Sequence, residues 1–363
     1  MKRLRTLLPS AALLAAFTAL LLLPQQTSAA VTDGLRLSLS VLVPSLFPFF
    51  ICVNLAANLG LTGRLARLLA PLFHRVLHTS GAGGSAWLFG AVGGYPSGAQ
   101  SVAVLYQTGQ LSAQEADYLL RFCNNAGPAF LFGVAGQVLG LGLPWCLLLW
   151  AIHLVSALAV GLLFRPSGAP RGLPQAAHPS PAVKSGAIVD AVRAAGQSVL
   201  QVTLFVTAFF VLSRLCTLAA QVFLPPAACT LLSGLLELSG GIAALGTLAL
   251  PLVWKLAAAS FFLGFGGLCV WMQTKAVLAS AGLSGRGILP AKLLQGALAA
   301  ALTLLAARLL PPDAVPAMQR MYHLPFWGVN AAVCAGFCLR FLKLRLDISR
   351  ASLYNRRKRA KER

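Results

Sequence analysis

Apolar stretches of the length of a membrane span recur along almost the whole chain. A helix needs about 20 apolar residues to cross a bilayer, and about ten stretches of the sequence meet that length. With 58% hydrophobic residues, 10% charged residues and a mean hydropathy of +0.78, the chain lacks enough polar side chains to cover a globular surface. The sequence therefore predicts an all-α fold, a polytopic transmembrane helical bundle without a soluble catalytic domain.

The formal net charge of +21 comes from basic residues that lie almost wholly between or beyond the apolar stretches. In a soluble protein this charge would indicate nucleic-acid binding, but here it indicates topology, because Lys- and Arg-rich loops stay in the cytoplasm. From Arg340 onward, ten Lys or Arg residues accompany only Asp347 and Glu362. We therefore expect a multi-pass cell-membrane protein with a cytoplasmic C-terminus, no nucleic-acid partner and a basic tail on anionic lipid headgroups. Association into a homo-oligomer is left open.

One long polar segment divides the apolar sequence into halves. Residues 165–193 are rich in Pro, Ala and Ser and carry basic side chains against Asp190 alone, so we interpret them as a cytoplasmic linker. The predicted segments are an N-terminal transmembrane helix or signal anchor (1–34), a first repeat (35–164), the linker (165–193), a second repeat (194–310), a C-terminal transmembrane helix (311–342) and the tail (343–363). The first segment also fits a cleavable signal peptide, although an uncleaved helix is commoner when further spans follow.

The two halves share a glycine-rich pattern at an offset of 173 residues. Seven of the seventeen positions from 93 to 109 are identical to their counterparts. The matches include two adjacent glycines and a glutamine: Gly93, Gly94 and Gln100 in the first half, and Gly266, Gly267 and Gln273 in the second. We interpret this pattern as an internal repeat, which transporter folds commonly contain.

A basic, leucine-rich segment follows the first apolar stretches. Residues 59–77 carry Arg64, Arg67, His74 and Arg75, which predicts an amphipathic helix that lies on the cytoplasmic face without crossing. We expect four segments on the cytoplasmic side of the membrane: the N-terminus, this helix, the linker and the tail. An even number of membrane crossings must then lie between each segment and the next. At least one segment in each half must therefore be re-entrant or broken.

Residues 91–100, AVGGYPSGAQ, are the clearest break. They contain the helix-weakening residues Gly93, Gly94, Pro96 and Gly98 and the polar side chains of Tyr95, Ser97 and Gln100. Irregular backbone at membrane depth is tolerated only where it is buried in protein or lines a wet cavity. We interpret the segment as part of a substrate pathway; the alternative is a kink with close helix packing through small residues.

A second break follows at residues 122–130, FCNNAGPAF. Asn124 and Asn125 precede Gly127 and Pro128 in an apolar context, where two adjacent amides are costly unless they are paired. They could hydrogen-bond to the first break or cap a half-helix that begins at Pro128 and points its amides at a ligand. A network within the protein alone is an equally acceptable interpretation.

Glu237, in GLLELSGG, is the only acidic residue within a predicted span, and Ser239 follows it. An ionisable residue in a span is a functional candidate, here for a coupling proton or a cation. The alternative is an ion pair with Lys255 or Lys275.

The counterpart of the first break in the second half is the glycine group Gly264, Gly266 and Gly267. Gln273 and Lys275 follow it, and the lysine is a candidate counter-charge or anion contact. We include all five residues in the predicted substrate pathway.

No enzyme signature is present. The sequence lacks GxSxG, a Walker A loop, HExxH and paired carboxylates within a span. Its eight cysteines form no CxxC pair, and its histidines have no zinc-site spacing. We therefore expect no catalytic activity, no metal and no cofactor.

The segments GGYPSGAQ, NNAGP, GLLELSGG and FFLGFGG together resemble the YlbJ-type sporulation integral membrane proteins. That family is grouped with the nucleoside-recognition, or Gate, domains of concentrative nucleoside transporters and of the FeoB iron transporter. The resemblance covers residues 35–310. It implies two Gate-type repeats in an inverted-repeat bundle with broken helices, a spore-forming bacterial host and a role in spore formation.

These features predict a transporter of a small polar solute, nucleoside-like or ionic. The broken segments around residues 93–100 and 264–275 are expected to meet, flanked by Asn124, Asn125 and Glu237. The alternative function is a non-transporting membrane scaffold for spore envelope assembly.

Overall fold

Helices form nearly all of the described structure. The computed structural model describes residues 2–59, 61–167 and 186–310, and these ranges contain no β-strand. The predicted all-α fold is confirmed. All described helices belong to one unit, Met1–Arg320.

Four helices precede the helix that ends at the first broken segment. They are α1 (Lys2–Leu22), α2 (Pro24–Leu37), α3 (Val43–Asn58) and α4 (Leu61–Leu77). A π-helical turn, Ser38–Leu42, joins α2 to α3. Pro24 occupies the first turn of α2, where its missing N–H would have no intrahelical partner in any case.

Six helices complete the first half: α5 (Gly81–Gly93), α6 (Ser97–Gln107), α7 (Ala113–Leu119), α8 (Pro128–Phe130), α9 (Gly136–Val138) and α10 (Leu143–Leu163). A second π-helical turn, Leu131–Ala135, joins α8 to α9. Serines are the N-cap residues of α5 and α7: Ser80 Oγ accepts a hydrogen bond from Gly83 N at 3.2 Å, and Ser112 Oγ accepts one from Glu115 N at 3.1 Å. These bonds satisfy first-turn N–H groups that have no intrahelical acceptor.

The second half consists of α11 (Ala187–Ala220), α12 (Pro226–Leu236), α13 (Leu238–Thr247), α14 (Leu252–Phe265), α15 (Gly267–Ala281) and α16 (Ile288–Leu309). Helix α11 therefore begins inside the segment that the sequence predicted as linker. Residues 187–193 are helical because a Pro-free stretch with Asp190 in its first turn favours a helix start.

Four described helical stretches are long and apolar enough to cross a membrane: Leu143–Leu163, Ala187–Ala220, Leu252–Ala281 and Ile288–Leu309. Pro24–Leu42 and Leu46–Cys52 make a fifth if they are one span bent by 54°. Shorter apolar helices lie at Pro128–Val138, Pro226–Leu236 and Leu238–Thr247, which confirms the predicted broken helices. Candidate spans in the described residues are fewer than the apolar stretches of the sequence, because several stretches are interrupted. Leu252–Ala281 itself contains the boundary between α14 and α15.

Glycines bring the helices of the second half into close contact. A Cβ atom on Gly264 of α14 would lie 2.6 Å from Gly296 Cα of α16, closer than real Cβ contacts. A Cβ on Gly241 of α13 would lie 2.7 Å from Gly234 N of α12. Small residues of this kind allow helices to pack backbone against backbone in apolar surroundings.

The internal repeat has a backbone counterpart. Gly94 and Gly267, which are related by the 173-residue offset, both have positive φ, +77° and +74°. Gly109 and Gly282, related by the same offset, both have positive φ as well, +71° and +70°. Gly94 and Gly109 lie on either side of α6, and Gly267 and Gly282 lie at the two ends of α15. These two helices pack against each other.

Several sequence predictions lie outside the described residues. They are the C-terminal transmembrane helix, the basic tail with its cytoplasmic orientation, and the central part of the linker, residues 168–185.

Candidate functional site

The first broken segment separates α5 from α6. Helix α5 ends at Gly93 and α6 begins at Ser97, as the glycines and Pro96 predict. Gly94 adopts φ +77°, a conformation that glycine tolerates far better than other residues. Ser97 N donates to Gly94 O at 2.8 Å, so the turn satisfies part of its own backbone.

The second broken segment separates α14 from α15. Gly266 and Gly267 both have positive φ, +83° and +74°, and α14 ends at Phe265. Near this end the Tyr95 hydroxyl donates a 2.6 Å hydrogen bond to Leu263 O. The structure therefore places the two broken segments in direct contact.

The asparagine segment packs against the first break. A Cβ on Gly127 would lie 2.9 Å from Gly94 N, so the two backbones meet glycine to glycine. Asn124 Oδ1 accepts a 3.4 Å hydrogen bond from Ala99 N. This contact is the predicted hydrogen bond between the asparagines and the first break. The predicted cap is absent, because the N-cap residue of α8 is Gly127 and no side chain caps the helix. Pro128 is the first residue of α8.

A cavity lies where these segments meet. Six predicted site residues line it: Gly94, Tyr95, Gly127, Glu237, Ser239 and Gln273. Apolar side chains complete the wall, among them Leu42 and, from α11, Val202 and Val206. Its volume, including the open mouth, is about 430 Å³. Both halves of the chain thus contribute polar groups to one cavity.

Glu237 lies between α12 and α13 and is only 2% exposed. Its carboxylate accepts hydrogen bonds from Ser239 N at 3.0 Å and Gly240 N at 2.6 Å. These N–H groups begin α13, where the helix dipole and the unpaired donors favour a negative charge. The expected ion-pair alternative is absent from the described residues: Lys255 Nζ donates to Gly246 O and Lys275 Nζ to Ser284 O.

Behind Tyr95 lies a buried polar cluster that sequence reasoning largely missed. We define it as Asn124, Asn125, His153, Thr274, Lys292 and Gln295, none of which is more than 4% exposed. Its centre is the Lys292 ammonium group, which donates to Asn124 O and to Gln295 Oε1 and lies 5.7 Å from the centroid of the Tyr95 ring. The cluster contains no carboxylate.

The remaining bonds of the buried polar cluster tie four segments together. Asn124 Nδ2 donates to Thr274 Oγ1 of α15 at 2.9 Å, and Gln295 Nε2 of α16 donates to Asn125 Oδ1 at 3.0 Å. His153 Nε2 of α10 accepts from Ala126 N at 3.0 Å. With Nε2 as acceptor, the neutral imidazole carries its proton on Nδ1, which has no partner among the described residues.

A sequence signal for this cluster did exist. Lys292 and Gln295 interrupt the apolar stretch ILPAKLLQGALAAAL, and His153 interrupts WAIHLVSAL. Ionisable and amide side chains within a span are functional candidates whatever their charge. The candidates taken from the sequence lay beside the helix breaks or were acidic, so polar residues inside the uninterrupted helices α10 and α16 were passed over.

Comparison with known proteins agrees with these features. The family described as Gate, nucleoside recognition, matches residues 39–140. The sporulation integral membrane protein YlbJ of Bacillus subtilis strain 168 is 30% identical over 317 residues, which cover 78% of this chain and 78% of that relative. The chain belongs to the YlbJ family of sporulation integral membrane proteins. No solved structure matches the chain.

The YlbJ-family match places the site in context. The Gate match contains the first broken segment and the asparagine segment, whereas Glu237, Ser239 and Gln273 lie beyond it. The longer similarity to YlbJ, together with the apolar helices, identifies an integral membrane protein.

Some predicted site residues lie outside the cavity wall of this YlbJ-family protein. Gln100 Nε2 donates to Ser198 Oγ of α11 at 3.1 Å, and Ser97 is buried at the start of α6. Gly98 packs on Cys123 O, and Gly264 packs on α16. Lys275 is half-buried and bonds to the turn after α15, so the structure does not bring it to Glu237.

We expect Tyr95→Phe to destabilise the protein by about 1–3 kcal/mol, because it leaves the buried Leu263 carbonyl without its donor. The measurement is thermal unfolding of the purified full chain in detergent. Tyr106→Phe is the matched control, since the Tyr106 hydroxyl forms no hydrogen bond among the described residues and the ring is half-buried. Equal melting temperatures for the two variants would show that the bond between the broken segments contributes nothing.

Proposed function

We propose that this chain is a transporter that carries a small polar solute, nucleoside-like or ionic, across the cell membrane during spore formation. The observation that carries the proposal is the cavity between the two broken segments, which is lined by polar groups from both halves. The role in spore formation is inferred from the similarity to the sporulation protein YlbJ.

Broken helices support transport for a physical reason. An interruption in an apolar setting leaves N–H and C=O groups without intrahelical partners, and these groups can bind a solute or an ion. Gly94 lines the cavity, and a Cβ on Gly266 would lie 3.5 Å from Tyr95 Cζ. Two repeat-related elements around one cavity can rock against each other and expose it to each side in turn.

The ionisable groups at the cavity favour a small polar or ionic solute. Glu237 supplies an ionisable group on the wall, and Lys292 supplies another behind Tyr95. Neither forms an ion pair within the described residues, so each lacks a partner of opposite charge that a charged solute can supply.

The proposal includes an orientation and a set of partners. We place the linker and the C-terminal tail in the cytoplasm, with the tail on anionic headgroups, because basic segments are retained on that side. Nucleic acid is not a partner, and the chain catalyses no reaction.

A membrane scaffold for spore envelope assembly is the alternative function. One observation favours it: each oxygen of the Glu237 carboxylate already accepts a backbone hydrogen bond from α13. A residue held in this way can serve as a helix cap and nothing more.

Glu237→Gln separates the two functions. The change removes the charge and keeps the side-chain shape, although an amide can accept only one of the two bonds from α13. In spore-forming cells we expect the variant to reach the membrane at the wild-type level and to abolish the movement of at least one small solute between compartments. Asp190→Asn, at an exposed position in the first turn of α11, is the control for loss of one negative charge.

Two results decide between the functions. A solute that changes compartment with the wild type and with Asp190→Asn, but not with Glu237→Gln, supports transport and identifies the substrate. If no solute moves in any strain while deletion still blocks spore assembly, the scaffold replaces the transporter.

A further inference from the structure

The described side chains of α4 pack on the bundle from one side of the helix. Phe73 and Leu77 are each 3% exposed and contact the bundle: a Cβ on Gly84 of α5 would lie 3.1 Å from the Phe73 ring, and one on Gly161 of α10 would lie 3.2 Å from Leu77. The Phe73 ring also lies 5.7 Å from that of Trp87.

The outer side of α4 is divided into two flanks. Leu68, Leu72 and Val76, spaced by one turn, form an apolar flank, and Leu68 is 70% exposed. At 100° per residue, the exposed side chains of Arg64, Arg67, His74 and Arg75 fall beside this flank, on the side away from the bundle. The helix contains no acidic residue.

Hydrogen bonds place the end of α4 level with the end of a candidate span. The Tyr118 hydroxyl lies 3.0 Å from Leu77 O and 2.8 Å from Gly161 O, close to the C-terminus of α10. Arg165, just beyond α10, donates from Nη1 to Val76 O at 3.1 Å. Because the end of a spanning helix lies at a membrane surface, the last turn of α4 lies at that surface too.

We infer that α4 lies along the membrane surface and binds anionic phospholipid headgroups through Arg64, Arg67 and Arg75. Leu68, Leu72 and Val76 enter the acyl-chain boundary on the other flank. The division into an apolar and a basic flank fits this position, because an interfacial helix has one flank in the hydrocarbon and one among phosphates. Arginine suits phosphate because its planar donors bind two oxygens at once. The lipid site is separate from the cavity and does not rest on the proposed transport.

The test is photo-crosslinking from α4 in the full chain, reconstituted in vesicles of phosphatidylcholine and phosphatidylglycerol. Replacing Leu72 with p-benzoylphenylalanine places a photoreactive group on α4. This group crosslinks only molecules in contact with position 72, so lipids bound by the basic tail do not contribute to the signal. We expect the ratio of phosphatidylglycerol adducts to phosphatidylcholine adducts to exceed the ratio of the two lipids in the vesicles at least roughly fivefold. Each basic residue near an anionic surface strengthens lipid binding by about that factor. The same reporter at Arg67 should give fewer acyl-chain adducts.

The triple variant Arg64→Gln, Arg67→Gln and Arg75→Gln, with the reporter at position 72, should lose the enrichment. Its control is Arg214→Gln, Arg286→Gln and Arg308→Gln, which removes three exposed charges elsewhere and should retain it. Size-exclusion profiles verify that both variants are folded. Adducts that match the vesicle composition in the otherwise unmodified protein overturn the headgroup site, and crosslinks to a second protein chain overturn it in favour of a protein interface.

Discussion

Lys292→Met is expected to abolish function while changing stability by less than about 2 kcal/mol, because two effects oppose each other. The substitution leaves Asn124 O and Gln295 Oε1 without a hydrogen-bond donor, which destabilises the folded state. It also removes a buried amine, and that removal stabilises the folded state, because the buried polar cluster contains no carboxylate to pair with that amine. A buried lysine within a span that gives no net gain in stability points to function.

The measurement for Lys292→Met pairs thermal unfolding of the full chain in detergent with spore yield, which we expect to fall at least about tenfold. Lys275→Met is the matched control. Its Nζ also donates to a backbone carbonyl, that of Ser284, but the bond is exposed to solvent. A loss of more than about 3 kcal/mol in the Lys292 variant would instead assign the lysine a structural role.

Gly98→Ala is expected to destabilise the protein by about 3 kcal/mol or more, or to prevent its accumulation in the membrane. A Cβ at this position would overlap Cys123 O and lie 2.9 Å from Asn124 Cα. Both neighbours are backbone atoms in a tightly packed segment, so neither can move aside as a flexible side chain could. The change would push the asparagine segment away from the first break and from Lys292.

Gly196→Ala is the control for Gly98→Ala. Gly196 lies within α11, and a Cβ there has no neighbour within 4 Å. Alanine should therefore stabilise the helix by about 0.5–1 kcal/mol. Similar melting temperatures for the two alanine variants would contradict the close backbone contact at Gly98.

The sequence predicted the broken segments better than their surroundings. Glycine and proline act locally through φ and through the missing N–H, so the ends of α5 and α14 follow from residues near them in the chain. The repeat was visible because the same backbone turn, at Gly94 and Gly267, requires glycine in both halves.

Contacts between distant residues were harder to predict. Lys292 meets Asn124 across 168 positions of sequence, and no local pattern indicates that pairing. Lys275, which follows the glycine break and was expected near Glu237, instead bonds to the turn after its own helix. At position 275 the helix geometry of α15 directs the side chain away from the cavity, whereas Gln273 of the same helix lines it.

The sequence by itself determined the bilayer as the solvent of this protein, its all-α fold, the positions where helices break and the identity of several residues near the cavity. These follow from hydropathy and local backbone chemistry, which act over a few residues. Only the tertiary structure decided that Tyr95 joins the two breaks, that Glu237 caps α13 with no basic partner among the described residues, and that a lysine lies buried behind the cavity. Those results depend on which helices pack together, and packing is set by contacts summed over the whole bundle, glycine against backbone in particular.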